Sequence, residues 1–214
     1  MSSVPSGPSA TPSTPTSSSP ASATSGPSAG AGAGGASSPS SPGTRLANRV
    51  TVRRARTSDV PAVRQLLDGY VEERILLGKP TVTLYEDIQE FWVAERDEDA
   101  EVVGCGALHV MWEDLAEVRT LAVRSDLHGK GVGHQVLHKL LQTASWLGVR
   151  RIFCLTFEVE FFAKHGFVEI GETPVDGDVY SELLRSYDEG VAEFLDLERV
   201  KPNTLGNSRM LLHL

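Results

Sequence analysis

The chain has 214 residues, a formal net charge of −8, 40% hydrophobic residues and 22% charged ones. That length holds one ordinary domain plus a tail, and an acidic chain without a basic stripe excludes nucleic acid and anionic membrane as expected partners. No apolar run approaches the roughly 20 residues that span a bilayer, and the two cysteines, Cys105 and Cys154, belong to no metal-spaced cluster, so no disulfide framework, no metal and a reducing cytoplasm are expected.

Residues 1–48 are expected to form a disordered tail. Between Met1 and Thr44 there is no Asp, Glu, Lys or Arg, and almost every residue is Ser, Pro, Ala, Gly or Thr. Such a stretch has no large apolar side chains with which to offset the entropy of ordering its backbone. It has neither the basic start and apolar run of a secretory signal nor the Arg-rich pattern of a transit peptide. The folded domain is therefore placed at 49–214.

Within it, Val50 to Arg54 reads as a first strand. Thr57-Ser58-Asp59 offers N-cap chemistry, and Val60, Val63, Leu66 and Leu67 recur at helical spacing, giving a helix to about Leu67. Gly78-Lys79-Pro80 breaks the pattern, and a short helix follows around Tyr85 to Glu90. Phe91 to Glu95, Val102 to Met111 and Glu117 to Val123 read as an antiparallel meander. A Gly-rich loop leads into the clearest helix, whose face of Val136, Leu137, Leu140, Leu141 and Ala144 ends at Gly148. Then come a strand at Arg151 to Thr156, a short helix at Glu160 to His165, and a strand at Phe167 to Ile170. A helix around Val179 to Tyr187 and a last strand at Arg209 to Leu214 complete a mixed α/β domain.

The loop His128-Gly129-Lys130-Gly131-Val132-Gly133 joins a strand to a helix. Its glycines allow positive φ, so successive backbone N–H groups can converge on an anion in front of the helix N-terminus. Held this way, a pyrophosphate is compatible with an acidic chain, with Lys130 adding a point charge. Spacing alone leaves a plain strand-to-helix connection equally open. It does exclude a P-loop, because no Gly-Lys-Ser/Thr triplet stands at the required spacing.

Context decides between these readings. The run Leu121-Ala122-Val123-Arg124-Ser125-Asp126-Leu127 and the loop after it resemble the acetyl-CoA motif of the GNAT family of N-acetyltransferases. Phe161-Phe162-Ala163-Lys164-His165-Gly166-Phe167 is similar to that family's second signature. The resemblance spans residues 50–214. It implies a mostly antiparallel central sheet with flanking helices, splayed between its fourth and fifth strands to admit the cofactor's arm. It also implies acetyl-CoA as co-substrate, bound by Leu121, Ala122, Val123, the loop 128–133 and Phe162. His128 stands where the family prefers Arg or Gln, and Phe162 where many members carry a Tyr that protonates the leaving thiolate. The Phe, together with Val103-Gly104-Cys105-Gly106-Ala107-Leu108, Ala116-Glu117 and Leu155-Thr156, resembles the acetyltransferase domains of N-acetylglutamate synthases. The implied type is the short, stand-alone amino-acid acetyltransferase, without the kinase-like domain through which arginine inhibits the long enzymes.

The expected reaction transfers acetyl to the α-amino group of L-glutamate or L-glutamine, the first step of arginine biosynthesis. The acceptor reaches the enzyme as an ammonium ion and must lose a proton before attack, and Glu117 is the candidate base, with Glu158 and Glu160 behind it. A backbone N–H around Leu121 to Val123 is expected to stabilise the oxyanion. The leaving thiolate, with a pKa near 8.5, departs without strong acid help, so Phe162 does not preclude catalysis. Arg119, Lys201 and Arg209 are the candidates for holding substrate carboxylates, as Arg does bidentately. A homodimer is compatible with this reading. The alternatives are a GNAT enzyme for another amine (polyamine, antibiotic or protein N-terminus) and a non-catalytic acyl-CoA sensor.

Overall fold

The computed structural model describes residues 49–72, 79–200 and 206–214. The compositional tail at 1–48 and Lys201 lie outside the described residues.

The domain runs β1 (Val50–Arg54), α1 (Val60–Glu72), α2 (Thr81–Glu86), β2 (Phe91–Arg96), β3 (Val102–Trp112), β4 (Leu115–Val123), α3 (Val132–Leu147), β5 (Arg151–Thr156), α4 (Val159–Ala163), β6 (Val168–Glu169), α5 (Gly177–Leu183), α6 (Glu189–Phe194) and β7 (Ser208–His213). The sheet order is β1-β2-β3-β4-β5-β7-β6. All neighbours are antiparallel except β4 and β5. That parallel pair needs a crossover, and α3 supplies it.

Each face of the sheet has its own packing. Val136, Leu137, Leu140 and Ala144 of α3 are fully buried against β3, β4 and β5 residues such as Val103, Val118 and Ile152. On the other face Val60, Val63 and Leu67 of α1 cover Val93, Cys105 and Ala122. A third cluster joins α5 and α6 to β4 and β5 through Leu183, Val191, Phe194, Leu115 and Phe153. At the end of α3, Gly148 adopts φ 86° and the N–H of Val149 bonds Ala144 O at 3.0 Å, a glycine stop of the Schellman kind.

The expected elements are present with shifted edges. α1 continues to Glu72, one turn past Leu67, and α2 starts at Thr81, directly after Pro80, which sets the φ of an entering chain. The expected helix at 179–187 is shorter and earlier, Gly177–Leu183, because Asp176 caps it by accepting from the N–H groups of Asp178 and Val179. The sequence reading omits α6 altogether. Among the described residues, no helix is long and apolar enough to cross a membrane.

Candidate active site

The site begins where the sheet comes apart. β4 and β5 pair only at Leu115↔Arg151, Ala116↔Ile152 and Glu117↔Phe153, yet β4 runs on to Val123 and β5 to Thr156. A bulge turns β4 at the same place. Pairing with β3 passes from Ala107↔Arg119 to Cys105↔Ala122, so one extra β4 residue is inserted, and Thr120 takes φ 58°. Between the diverging strands lies a cleft of about 770 Å³, closed by α1, α4 and the N-terminus of α3. Every sequence-predicted cofactor residue lines it except Ala122, whose side chain is buried under α1, and Lys130, which is exposed.

At the downstream end of β4 the cleft is built from backbone. Gly129 and Gly131 have φ of 72° and 84°, values that L side chains adopt at a cost. Buried Leu127 anchors the turn, and its carbonyl accepts the N–H of Lys130 at 3.2 Å. The N-cap of α3 is Gly131, with no side-chain cap and no acidic residue in the first turn. The N–H groups of Val132, Gly133 and His134 have no acceptor within the helix, so they and the helix dipole face the cleft as an anion site. Gly133 packs its backbone on the Phe161 ring, with room for a methyl group at 3.5 Å and little more. Phe162, 5% exposed, stacks edge-on with Phe161 and Phe167, and presents no hydroxyl.

At the upstream end the cleft borders buried charge. Arg119, a cleft-lining residue, has guanidinium nitrogens 2.7 Å from Asp188 Oδ2, 3.0 Å from Glu90 Oε2, 3.5 Å from Asp87 and 3.8 Å from Glu117. His109 on β3 joins the group through Glu90 at 2.7 Å, and that bond raises its pKa. Glu117 is 3% exposed, and its Oε2 has no hydrogen-bond partner. Burial pushes its pKa up to about 7, against the opposing pull of Arg119. Asp188 is driven the other way: burial raises its pKa, but the hydrogen bond and charge of Arg119 win and hold it below the ordinary value. Glu193 is raised to about 8 by burial and by the neighbouring Glu117.

α6 fixes this arrangement. Asp188 is its N-cap, accepting from Val191 N–H at 3.1 Å with one oxygen while the other holds Arg119. Gly190 is thereby laid on the Glu117 carboxyl so closely that a Cβ there would stand 1.9 Å from Oε2. Asp188, Gly190, Glu193, Glu90 and His109 all escape the sequence reading. The one local signal for them is an Asp followed by the apolar set Val191, Ala192, Phe194 and Leu195.

The two arginines expected to hold substrate are both engaged within the protein. Arg119 is ringed by carboxylates. Arg209 ties β7 to the ends of other elements, donating to Thr173 Oγ1 at 3.1 Å, Gly171 O at 3.3 Å and Phe194 O. Glu158 and Glu160 line the cleft at the entry to α4, Glu158 as its N-cap residue. Asn207, from the polar approach to β7, also lines the cleft and has a buried, unpartnered Oδ1.

Comparison with known proteins matches residues 87–169 to the acetyltransferase (GNAT) domain. The amino-acid acetyltransferase of Mycobacterium tuberculosis is 62% identical over 165 residues, covering 77% of this chain and 94% of that protein. A crystal structure from M. tuberculosis, in complex with CoA and NLQ, has 62% sequence identity and a TM-score of 0.74, with 77% of this chain and 99% of that one covered. N-acetylglutamate synthase from Neisseria gonorrhoeae, complexed with coenzyme A and N-acetyl-glutamate, shares the fold at 24% identity and a TM-score of 0.62, over 78% of this chain and 35% of that one.

Proposed function

This chain belongs to the GNAT family of acetyltransferases, and on that premise we propose that it moves the acetyl group of acetyl-CoA to the α-amino group of L-glutamate or L-glutamine, an entry reaction to arginine synthesis. One observation carries the mechanism: a single strand, β4, borders an anion nest at one end and, at the other, a buried carboxylate whose Oε2 has no hydrogen bond.

The residues present fit acetyl-CoA. Three helix N–H groups without internal acceptors and two positive-φ glycines suit a pyrophosphate, and the open edge of β4 suits an amide-bearing arm. When bound, that molecule supplies an activated thioester. The protein's part is to hold it and manage one proton. Backbone N–H groups of the open edge near Leu121 would supply the donors for negative charge developing on the thioester carbonyl oxygen. Glu117, which stands behind the cleft lining beside Arg119, accepts the ammonium proton through water, and a pKa of about 7 places it where a base works best at neutral pH. Arg119 keeps that carboxylate ionisable and in place, acting as a positioning group. Leu121, Ala122, Val123, His128–Gly133 and Phe162 remain the proposed cofactor set, with Asn207 added to the acceptor wall. A cytoplasmic setting and a homodimer go with this reading.

A second reading has one observation in its favour. Carboxylates outnumber cations around Arg119, which suits an acceptor richer in ammonium groups than glutamate. Thiol release from acetyl-CoA, measured across amino acids and polyamines with the purified protein, separates the two. Turnover with glutamate or glutamine and none with polyamines is the expected result; the reverse pattern replaces the first reading by the second.

A further inference from the structure

Where β5 departs, the backbone of β4 is left with an open edge. Arg124 N–H bonds Val103 O at 2.8 Å, so that residue faces β3. Hydrogen-bonding direction alternates along a strand, so the N–H and C=O of Val123 face away from β3, into the cleft. An edge pair of this kind does not stay unsatisfied inside a protein. Here a side chain from α1 fills it. The Tyr70 hydroxyl accepts the Val123 N–H at 3.1 Å and donates to the Val123 carbonyl. One hydroxyl thus does for Val123 what a residue of a partner strand would do.

His128 joins the same knot. Its Nε2 lies 2.8 Å from Val123 O and 2.8 Å from the Tyr70 hydroxyl. A carbonyl can only accept, so this network assigns the proton to Nε2. Tyr70 itself lines the cleft, with its ring packed at the margin of the α1 cluster beside Leu66.

The arm of coenzyme A carries two secondary amides, each a donor and an acceptor side by side, the same chemistry that Tyr70 presents to Val123. Both cannot occupy that residue at once. We propose that Tyr70 is a cofactor-competing residue: in the free protein its hydroxyl holds the Val123 amide, and an amide of the incoming acyl-CoA arm displaces it. This rests on the reading of the cleft as an acyl-CoA site. The displacement also removes one partner of His128 at the start of the glycine loop, so engagement of the arm and arrangement of the phosphate loop are linked through one side chain. Tyr70 is separated from Val123 by 53 positions, which makes α1 a part of the cofactor site with no signal in the motif.

The test is Tyr70→Phe, which keeps the packed ring and removes the hydroxyl. Two quantities are read on the full chain: the Kd for CoA by calorimetry, and the exchange rate of the Val123 amide by NMR with and without CoA. The expected result is CoA binding tighter by roughly three- to tenfold, the worth of about one competing hydrogen bond. Val123 should exchange faster in the variant than in the wild type without CoA, and equally slowly in both with CoA bound. Unchanged or weaker CoA binding overturns the proposal, weaker binding making Tyr70 a ligand of the cofactor. Identical Val123 exchange in the two free proteins overturns it as well. A wild-type protein that fails to bind CoA at all overturns the acyl-CoA reading, and the displacement with it, and is told apart because that failure needs no variant.

Discussion

The two ends of β4 are built by opposite means. Downstream, from Leu121 into α3, main-chain N–H groups displayed by glycines line the cleft; Lys130 is exposed and outside the lining, and Arg124, which does line it, is held by Glu101 and Asp126 at 2.6 Å each. Upstream, around Glu117 and Arg119, the groups are charged side chains buried under α6 and held by each other. A backbone site keeps its donors whatever the side chains, and fails only when the chain path changes. A side-chain site of buried charges depends on every partner, because removing one leaves the others unpaired in a low-dielectric setting.

This contrast can be broken at either end. The largest effect is expected from Arg119→Met, which leaves Asp188, Glu90 and Asp87 without the guanidinium they share and only His109 beside the first two. Urea unfolding should show a loss of about 3–5 kcal/mol, the usual range for breaking a buried pair. A loss under about 1 kcal/mol, as for an exposed pair, would show that the Arg119 cluster does not depend on its partners. Glu117→Gln comes next. Its kcat is expected to fall by about 100-fold or more, the scale of general-base catalysis, with the KM for acetyl-CoA unchanged; a parallel rise in that KM would mean the two ends are not separate.

Glu117 also gives a pH signature of two opposite signs. In the proposed mechanism its carboxylate form is the base, so the wild-type rate should rise with pH through about 7. Stability should move the other way. The folded protein holds the Glu117 proton up to about 7, whereas an unfolded glutamate releases it near the ordinary 4.5, so the folded state binds more protons between those values and loses stability as pH rises across them. Glu193, raised to about 8, adds slope of the same sign, and because Glu117 is one cause of that rise, the difference between wild type and Glu117→Gln reads Glu117 together with its effect on Glu193. Equal slopes in the two proteins would remove Glu117 as the titrating group.

Smaller effects belong to the backbone end. Gly131→Ala forces a Cβ into φ 84° although nothing blocks it sterically. The strain is worth about 1–2 kcal/mol, and the expected readout is a KM for acetyl-CoA raised roughly tenfold at constant kcat. Lys130→Ala should change that KM least, by less than about threefold, as befits an exposed point charge. A larger loss with Lys130→Ala than with Gly131→Ala would show that charge, and not chain path, holds the phosphates.

The same contrast explains what could be read from the sequence. The strands around the site are visible as short apolar, β-branched runs bounded by charged turns, and α3 because its apolar face repeats with helical period. The glycine loop is visible because its spacing records a chain path. The acceptor end is not. Arg119 stands 29 positions from Glu90 and 69 from Asp188, and nothing local predicts that these carboxylates converge on it. Arg119 and Arg209 therefore look like free carboxylate binders in sequence and prove to be held internally. α6 is too short, and too interrupted by Gly190, to register as a helix, although its Asp188 cap and the apolar residues after it were there to be read.

The bulge at Thr120 has one more consequence. A strand is a two-stroke code, each residue assigned to a face by parity. Before Thr120 the even residues Ala116 and Val118 face the α3 core, and the odd ones Leu115, Glu117 and Arg119 face α6. After it the assignment is inverted: odd Leu121 and Val123 join the α3 core, and even Ala122 lies under α1. The extra residue works as a frameshift, letting one strand write two messages in different frames, one in buried charge under α6 and one in the apolar wall of the cleft. Deleting Thr120 would restore a single frame and turn one half of the strand inside out, so a change of one residue would erase whichever site lies on the half that yields.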